Sequence, residues 1–252
     1  MAKTARELAK TQRRDDILGA ARQLMRDGGD LSMRTLAERA GVSIATPYNL
    51  FGSKQSILLA ILNADLKSYE DAVGQLRADE IDVLFESTGL MTSLLGQDPE
   101  FYRNMISAAS RDGPEFRHMV NGPRYIVWKK LLRQATAAGL LADHVDPDAF
   151  AIASSQLLVA NVLEWAQGAL TLQEMTARNH YGLALTLLAI ATGRSRPQLE
   201  AHLRDAERTL QQLWRRALSK RLRDGELNAE DRELLADQLK HLHTDDQLET
   251  TQ

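Results

Sequence analysis

The chain has 252 residues, of which 44% are apolar and 26% are charged, and this composition excludes a protein that is disordered throughout. It contains no cysteine, which excludes disulfides and thiolate zinc sites and is compatible with a reducing compartment. Residues 1–16 are polar and lack the apolar segment of a secretory signal, so we expect a cytoplasmic protein.

The net charge of −3 is unevenly distributed along the chain. Residues 1–55 carry a net charge of +4, whereas residues 56–252 carry −7. A basic N-terminal module suits a polyanionic partner, because lysine and arginine neutralise phosphates and release their counterions. A solvated surface of mixed charge would give the same count, so charge alone leaves both interpretations open.

Apolar residues recur at intervals of three and four, and few segments alternate with the period of a strand, so the sequence predicts an all-α fold. Ile17, Ala21 and Met25 form the stripe of a first helix, which Gly28 is expected to end. Ser32 is the predicted N-cap of a short second helix.

Only residues 41–43 separate the second helix from a third one, predicted over 44–51 with Ser43 as its N-cap. Two short helices joined by so tight a turn predict a helix-turn-helix. Ser53 is expected to cap a long fourth helix over 54–77. The remaining helices are predicted at 82–96, 99–111, 122–140, 147–167, 171–192, 197–223 and 229–241, with breaks that include Gly113-Pro114 and Gly122-Pro123.

Two long uncharged segments, 149–163 and 181–193, are shorter than a membrane span and are predicted to be buried helices. No membrane partner is therefore expected.

The segment from Leu36 to Lys54 resembles the DNA-binding signature of the tetracycline-repressor (TetR) family. It combines Ala-Gly-Val-Ser, a Thr-x-Tyr pair, a Phe and a Ser-Lys pair at the spacing of that family, and the resemblance covers about residues 13–62. It implies a DNA-binding domain with its N-terminal arm over 1–55, and a ligand-binding and dimerisation domain over 56–193. Residues 194–252 then form a C-terminal helical extension with an acidic tail.

The third predicted helix has the chemistry of a recognition helix. Ala45 lets the backbone approach the bases, the hydroxyls of Thr46 and Tyr48 suit phosphate oxygens, and Asn49 suits an adenine or a phosphate. Lys54 offers a second phosphate contact at the start of the fourth helix. The resemblance adds candidates that face the bases: Arg34, Thr35, Ser43, Ile44, Ala45 and Pro47.

Two positions depart from the family pattern. Pro47 occupies a place where the family often has another residue, and a proline is cheap only in the first turn of a helix. Leu50 replaces the aromatic residue or histidine that commonly precedes the Phe. Base preferences are therefore not transferred from the family to this chain.

The resemblance also implies a pocket for a small apolar ligand among helices four to eight. Aromatic and methionine side chains usually form core, but they also line adaptable cavities. The predicted lining residues are Phe101, Met105, Phe116, Trp128, Asn161 and Trp165.

A homodimer is predicted from the last two helices of the ligand-binding domain, which are rich in small residues. The resemblance implies that these helices pair with those of a second copy. A two-fold dimer places two recognition helices roughly 34 Å apart and calls for a pseudo-palindromic operator in double-stranded DNA.

An enzyme is the main rival class, but none of the six histidines forms a helical metal pair with an acid, and we expect no catalytic residue, metal or cofactor. The segment Asp143-His144-x-Asp146-x-Asp148 could hold a divalent cation, although a capped helix junction is favoured. A third class is a helix-turn-helix protein with an architectural or protein-directed role and no inducer.

The extension carries a short heptad seam that breaks at Lys220. Its members are Leu199, Leu203, Ala206, Leu210, Leu213 and Ala217. A helix packed on the core is favoured, and an extension of the dimer interface is the alternative.

Overall fold

A computed structural model describes residues 5–28, 31–111 and 114–224, without the side chains of 109–124, 222 and 223. This part of the chain contains ten α-helices and one isolated bridge between Leu141 and Ala191, which confirms the all-α fold. The helices are α1 (Ala5–Arg26), α2 (Met33–Arg39), α3 (Ala45–Phe51), α4 (Lys54–Val73), α5 (Asp82–Gln97), α6 (Pro99–Arg111), α7 (Pro114–Ala137), α8 (Pro147–Ala166), α9 (Leu172–Leu188) and α10 (Arg196–Arg223).

Side-chain caps begin several helices where the sequence predicts them. The hydroxyl of Ser32 accepts the backbone N–H of Thr35 at 3.1 Å, and that of Ser53 accepts the N–H of Ser56 at the same distance. Gly41 and Gly52 follow α2 and α3 with φ values of 65° and 80°. Because glycine adopts positive φ without steric cost, these two positions stop each helix sharply.

Several predicted boundaries are wrong, among them the end of α9, which lies at Leu188 and not at residue 192. Ser43 does not cap α3 through a backbone N–H; its hydroxyl lies 2.9 Å from that of Thr46, and the residue before α3 is Ile44. The break at Gly122-Pro123 is absent, because α7 runs from Pro114 through it; proline loses one N–H but its fixed φ is helical. Helix α4 ends at Val73, before Arg77. The helix predicted at 229–241 lies outside the described residues.

One hydrophobic core joins the helix-turn-helix to the helices behind it. Ile17 of α1, Leu36 of α2 and Ile57 of α4 belong to the same buried cluster as Phe101 of α6 and Trp165 of α8. All five side chains are fully buried. The three-helix DNA-binding module is therefore packed firmly on the rest of the protein and does not hang from a flexible linker.

A second core lies among α4, α5, α7 and α9. Leu84, Leu132 and Leu187 are at its centre, and Leu199 at the start of α10 packs into it with no exposed surface. Gln198 and His202 of α10 add hydrogen bonds of 2.7 Å to Asp79, just before α5, and to Asp82, its first residue. The beginning of the extension is therefore part of this core.

The described chain forms two compact units that divide between Ala206 and Glu207, within α10. Both hydrophobic cores belong to the first unit. The predicted domain boundary at residue 55 does not separate compact units, since the first core crosses it.

Helix α8 keeps much of its apolar surface exposed. Among the described helices it alone has the length and composition of a membrane-spanning segment. Only 22% of its most apolar 18-residue stretch is buried inside the protein. Ile152 and Leu157 on α8, with Leu185 on α9, are large apolar side chains about half exposed to solvent. This apolar face is defined by those three residues and has no partner within the described part of one chain.

Candidate DNA-binding surface and ligand cavity

Arg14 of α1 holds the end of helix α3. Its guanidinium donates a hydrogen bond of 2.6 Å to the backbone carbonyl of Leu50 and lies 4.2 Å from the centre of the Phe51 ring. A carbonyl near the end of a helix lacks an intrahelical donor, so a cation there satisfies both the hydrogen bond and the helix dipole. Helix α3 is thus fixed against α1 at its C-terminal end.

Most of the predicted DNA-binding residues lie on the surface of α2 and α3. Ile44 and Tyr48 are 50% and 53% exposed, which is unusual for large side chains inside a compact module. The other exposed members are Arg34, Ser43, Ala45 and Asn49, while Thr46 and Lys54 are partly exposed.

Two of the base-facing candidates are placed differently. The hydroxyl of Thr35 is held within the capping box of α2, where it bonds to Ser32. Pro47 is buried in the first turn of α3, where the N–H it lacks would have had no intrahelical partner. The hydroxyl of Thr35 is therefore already engaged within α2, and the side chain of Pro47 faces the protein interior.

A basic stripe, defined here as Arg6, Lys10 and Arg13, extends α1 beyond the helix-turn-helix core. These residues are exposed and lie on the helix face of Ile17, whereas Asp15 and Asp16 lie away from it by helical spacing. Lys10 is one turn before Arg14, the residue that contacts the end of α3. The stripe therefore leads away from the recognition helix as a positively charged edge.

Ion pairs and hydrogen bonds tie α1 to the larger domain. Arg22 forms an ion pair with Asp65 of α4, and the same carboxylate accepts the Tyr102 hydroxyl of α6 at 2.8 Å. Burial and the bond to Asp65 raise the pKa of Tyr102, so its hydroxyl remains a donor at neutral pH.

A second link joins Arg26 to Asp98 through two hydrogen bonds of 2.9 and 2.5 Å. These bonds hold the pKa of Asp98 below its usual range. The amide of Asn104 also donates to the carbonyl of Met25 at 2.6 Å. Movement of α4 or α6 would therefore move α1 with it.

A cavity lies where the two hydrophobic cores meet, and about 60 Å³ of it is open to water-sized molecules. Every side chain that lines it is uncharged at neutral pH. They are Tyr69, Thr88, Met91, Thr92, Leu95, Tyr125, Trp128, Ser155, Leu158, Val159, Val162, Met175 and Asn179, from α4, α5, α7, α8 and α9. The space is small for a drug-sized ligand, and the two methionines are the side chains best able to rearrange around one.

The structure distributes the predicted lining residues over several places. Trp128 lines the cavity. Phe101, Met105 and Trp165 are buried in the core that joins the helix-turn-helix to the larger domain, and Asn161 reaches the cavity wall indirectly, through a hydrogen bond to Asn179. The side chain of Phe116 lies outside the described ones.

Several lining residues are not among those predicted from the sequence, although the sequence carries one signal for them. Asn179 interrupts an apolar stripe of one-turn spacing between Met175 and Leu183. Thr88 on α5 is likewise a buried polar residue, one turn after Leu84 and two turns before Leu95. A polar residue inside a buried stripe marks either a satisfied core hydrogen bond or a cavity.

The acidic segment between α7 and α8 is used for helix capping and ion pairs. Asp146 accepts the backbone N–H of Ala149 at 2.7 Å, and Asp148 pairs with Lys129 and Arg133. Within the residues described, no group of three or more His, Asp or Glu side chains is arranged to hold a metal ion.

The exposed α3, its tight turn from α2 and the flanking cations define a helix-turn-helix DNA-binding protein. The family model described as "Bacterial regulatory proteins, tetR family" matches residues 17–61, from α1 into α4. The match assigns a TetR-family DNA-binding domain to residues 17–61. A comparison with curated proteins gives no match.

Solved structures share the fold at low sequence identity. FadR of Bacillus subtilis, in complex with stearoyl-CoA, is 18% identical with a TM-score of 0.58, over 69% of this chain and 98% of its own. SmeT, the repressor of the Stenotrophomonas maltophilia multidrug efflux pump SmeDEF, is 19% identical with a TM-score of 0.57, over 71% and 91%. A gamma-butyrolactone receptor, an ArpA-like protein, is 20% identical with a TM-score of 0.51, over 81% and 99%.

Proposed function

We propose that this chain is a cytoplasmic, homodimeric repressor that a small uncharged apolar molecule releases from a pseudo-palindromic operator. The observation that carries the proposal is the course of α4. This helix begins at Lys54, three residues after the recognition helix, and its Tyr69 lines the cavity. One rigid element therefore connects the candidate ligand site to the DNA-binding surface.

The cavity offers a route for the coupling. A ligand larger than the open space displaces lining side chains, and Tyr69 is the one through which it would push on α4. Asp65 lies one turn before Tyr69 and is bound to Arg22 of α1 and Tyr102 of α6. A shift of α4 would thus be passed to the helix-turn-helix, and ligand and operator would favour different conformations.

The dimer is proposed from the apolar face of α8 and α9. Three half-exposed side chains, Ile152, Leu157 and Leu185, stand among small residues, and exposed apolar patches of this kind mark interaction surfaces. A second copy of the same face covers them symmetrically. The two fold neighbours named for stearoyl-CoA and gamma-butyrolactone lend support to the small-molecule ligand.

The test is selection of genomic DNA fragments by the purified protein, followed by a screen of uncharged compounds against the recovered operator. We expect a few fragments that share an inverted repeat, and a compound that lowers operator affinity. Many unrelated fragments and no effective compound would instead favour the architectural role.

A further inference from the structure

The cavity is apolar but contains a few hydrogen-bonding groups, and their roles are distinguishable. The hydroxyls of Thr88, Thr92 and Ser155 donate to the carbonyls of Phe85, Thr88 and Ile152 at 2.7, 3.1 and 2.8 Å. Since a hydroxyl has one proton, these three groups can only accept a further hydrogen bond from a ligand.

Asn179 offers the complementary chemistry. It lies on α9 in the cavity wall and is only 5% exposed. Its side-chain oxygen accepts a hydrogen bond of 2.8 Å from the amide of Asn161 on α8. With this bond made, the N–H groups of the Asn179 amide remain as donors beside the cavity.

The position of Asn179 in α9 is otherwise apolar. Met175 one turn before it and Leu183 one turn after it are 1% and 2% exposed. A leucine would continue this stripe, whereas the amide places hydrogen-bonding groups in the cavity wall. An acceptor on a bound molecule would give the Asn179 N–H groups a hydrogen-bond partner there.

Charged ligands do not suit the site. The lining holds no lysine, arginine, histidine, aspartate or glutamate. An ammonium or carboxylate would lose its hydration without gaining an ionic partner, which costs far more than one hydrogen bond returns.

We propose that the ligand is an uncharged, largely apolar molecule with a hydrogen-bond acceptor, such as a carbonyl or ether oxygen, that accepts from the Asn179 amide. Asn161 is the positioning residue that orients this amide. The inference rests on the proposed function, because it assigns the chemistry recognised by the same cavity.

The test compares two probes of equal shape, cyclohexanone, which has an acceptor, and methylenecyclohexane, which has none. The full-length protein carries ¹³C-methyl methionine, so that Met91 and Met175 report occupation of the cavity while Met33 in α2 serves as the internal control. Dissociation constants of both probes are measured for the wild type and for Asn179→Leu. We expect the substitution to raise the dissociation constant of cyclohexanone, relative to that of methylenecyclohexane, by about fivefold, which is the effect of one neutral hydrogen bond.

Two control variants locate the donor. Thr92→Val removes a hydroxyl that cannot donate to the ligand, so the ratio of the two dissociation constants should not change. Trp128→Phe removes another N–H of the cavity wall, and a change of the ratio there but not in Asn179→Leu would overturn the assignment. Melting curves verify that each variant is folded.

The outcomes separate this inference from the proposed function. An unchanged ratio in Asn179→Leu, with both probes still shifting Met91 and Met175, refutes the role of Asn179 and leaves the cavity as the ligand site. Failure of both probes to shift these two methyl groups in the wild type contradicts the cavity itself, and the inference then falls with it.

Discussion

Neutralising the basic stripe on α1 should reduce the salt dependence of DNA binding. The perturbation is the triple substitution Arg6→Gln, Lys10→Gln and Arg13→Gln. All three side chains are exposed, and none of them has a hydrogen bond or ion pair in the described part of the chain. They lie on the face of α1 from which Arg14 contacts the end of the recognition helix.

The magnitude follows from counterion release. Each phosphate neutralised by a cation contributes about 0.9 to the slope of log affinity against log salt. Three contacts therefore contribute up to about 2.7. Raising the salt from about 50 to about 200 mM should cost the wild type roughly 40-fold more affinity than the variant.

The assay is fluorescence anisotropy on a random-sequence duplex of about 40 base pairs, titrated over several salt concentrations. Random DNA suffices, because the stripe would contact phosphates and not bases. A matched control replaces three exposed cations elsewhere, Arg77, Lys130 and Arg204, by glutamine and has the same net charge. Equal slopes for the stripe variant and the wild type, or an equal loss of slope in the control, would refute DNA contact by the stripe.

Three further predictions concern other parts of the molecule. Tyr48→Phe should weaken specific and random DNA about equally, whereas Asn49→Ala should change the preferred sequence in a selection experiment; equal effects of both on all DNA would contradict these roles. Leu157→Asp should convert the dimer to monomers in sedimentation velocity, while Ile126→Asp, at an even more exposed apolar position on α7, should not; a dimeric Leu157→Asp would place the interface elsewhere. Burial lowers the pKa of His180 in the folded protein. As the pH falls through the ordinary pKa of histidine, the unfolded chain therefore binds the proton more readily than the folded one, and the free energy of unfolding decreases. Denaturation between about pH 7 and pH 5.5 should therefore show a steeper loss of unfolding free energy in the wild type than in His180→Phe, and identical slopes would exclude the effect.

The sequence predicts the helix-turn-helix well because its determinants are local. Ser32, Gly41 and Ser53 act through their own backbone neighbours, so their roles are visible without tertiary structure. The failed prediction at Ser43 is also local: its hydroxyl bonds to that of Thr46 in place of a backbone N–H. Similarly, Pro123 is a helix breaker by statistics but has a helical φ, and α7 continues across it.

The cavity is harder to predict, because its wall depends on which buried faces meet. Phe101, Met105 and Trp165 have the size and apolarity of lining residues, yet they fill the contact between the helix-turn-helix and the larger domain. Their neighbours are determined by how α6 packs on α1 and on α8, which no local pattern reports. Polar interruptions of buried stripes, as at Asn179, would have been a better guide than large apolar side chains.

The position of that filled contact bears on how a ligand could act at a distance. Lys54 and Tyr69 are separated by about 22 Å along α4, at 1.5 Å per residue. Asp65 lies between them and is bound to α1 through Arg22 and to α6 through Tyr102. Since the core around Phe101 is densely packed, α1, α4 and α6 should respond to a ligand as one body and not by bending of α4 alone. If these three helices rotate together in a dimer held by α8 and α9, the separation of the two recognition helices changes while each helix-turn-helix stays intact.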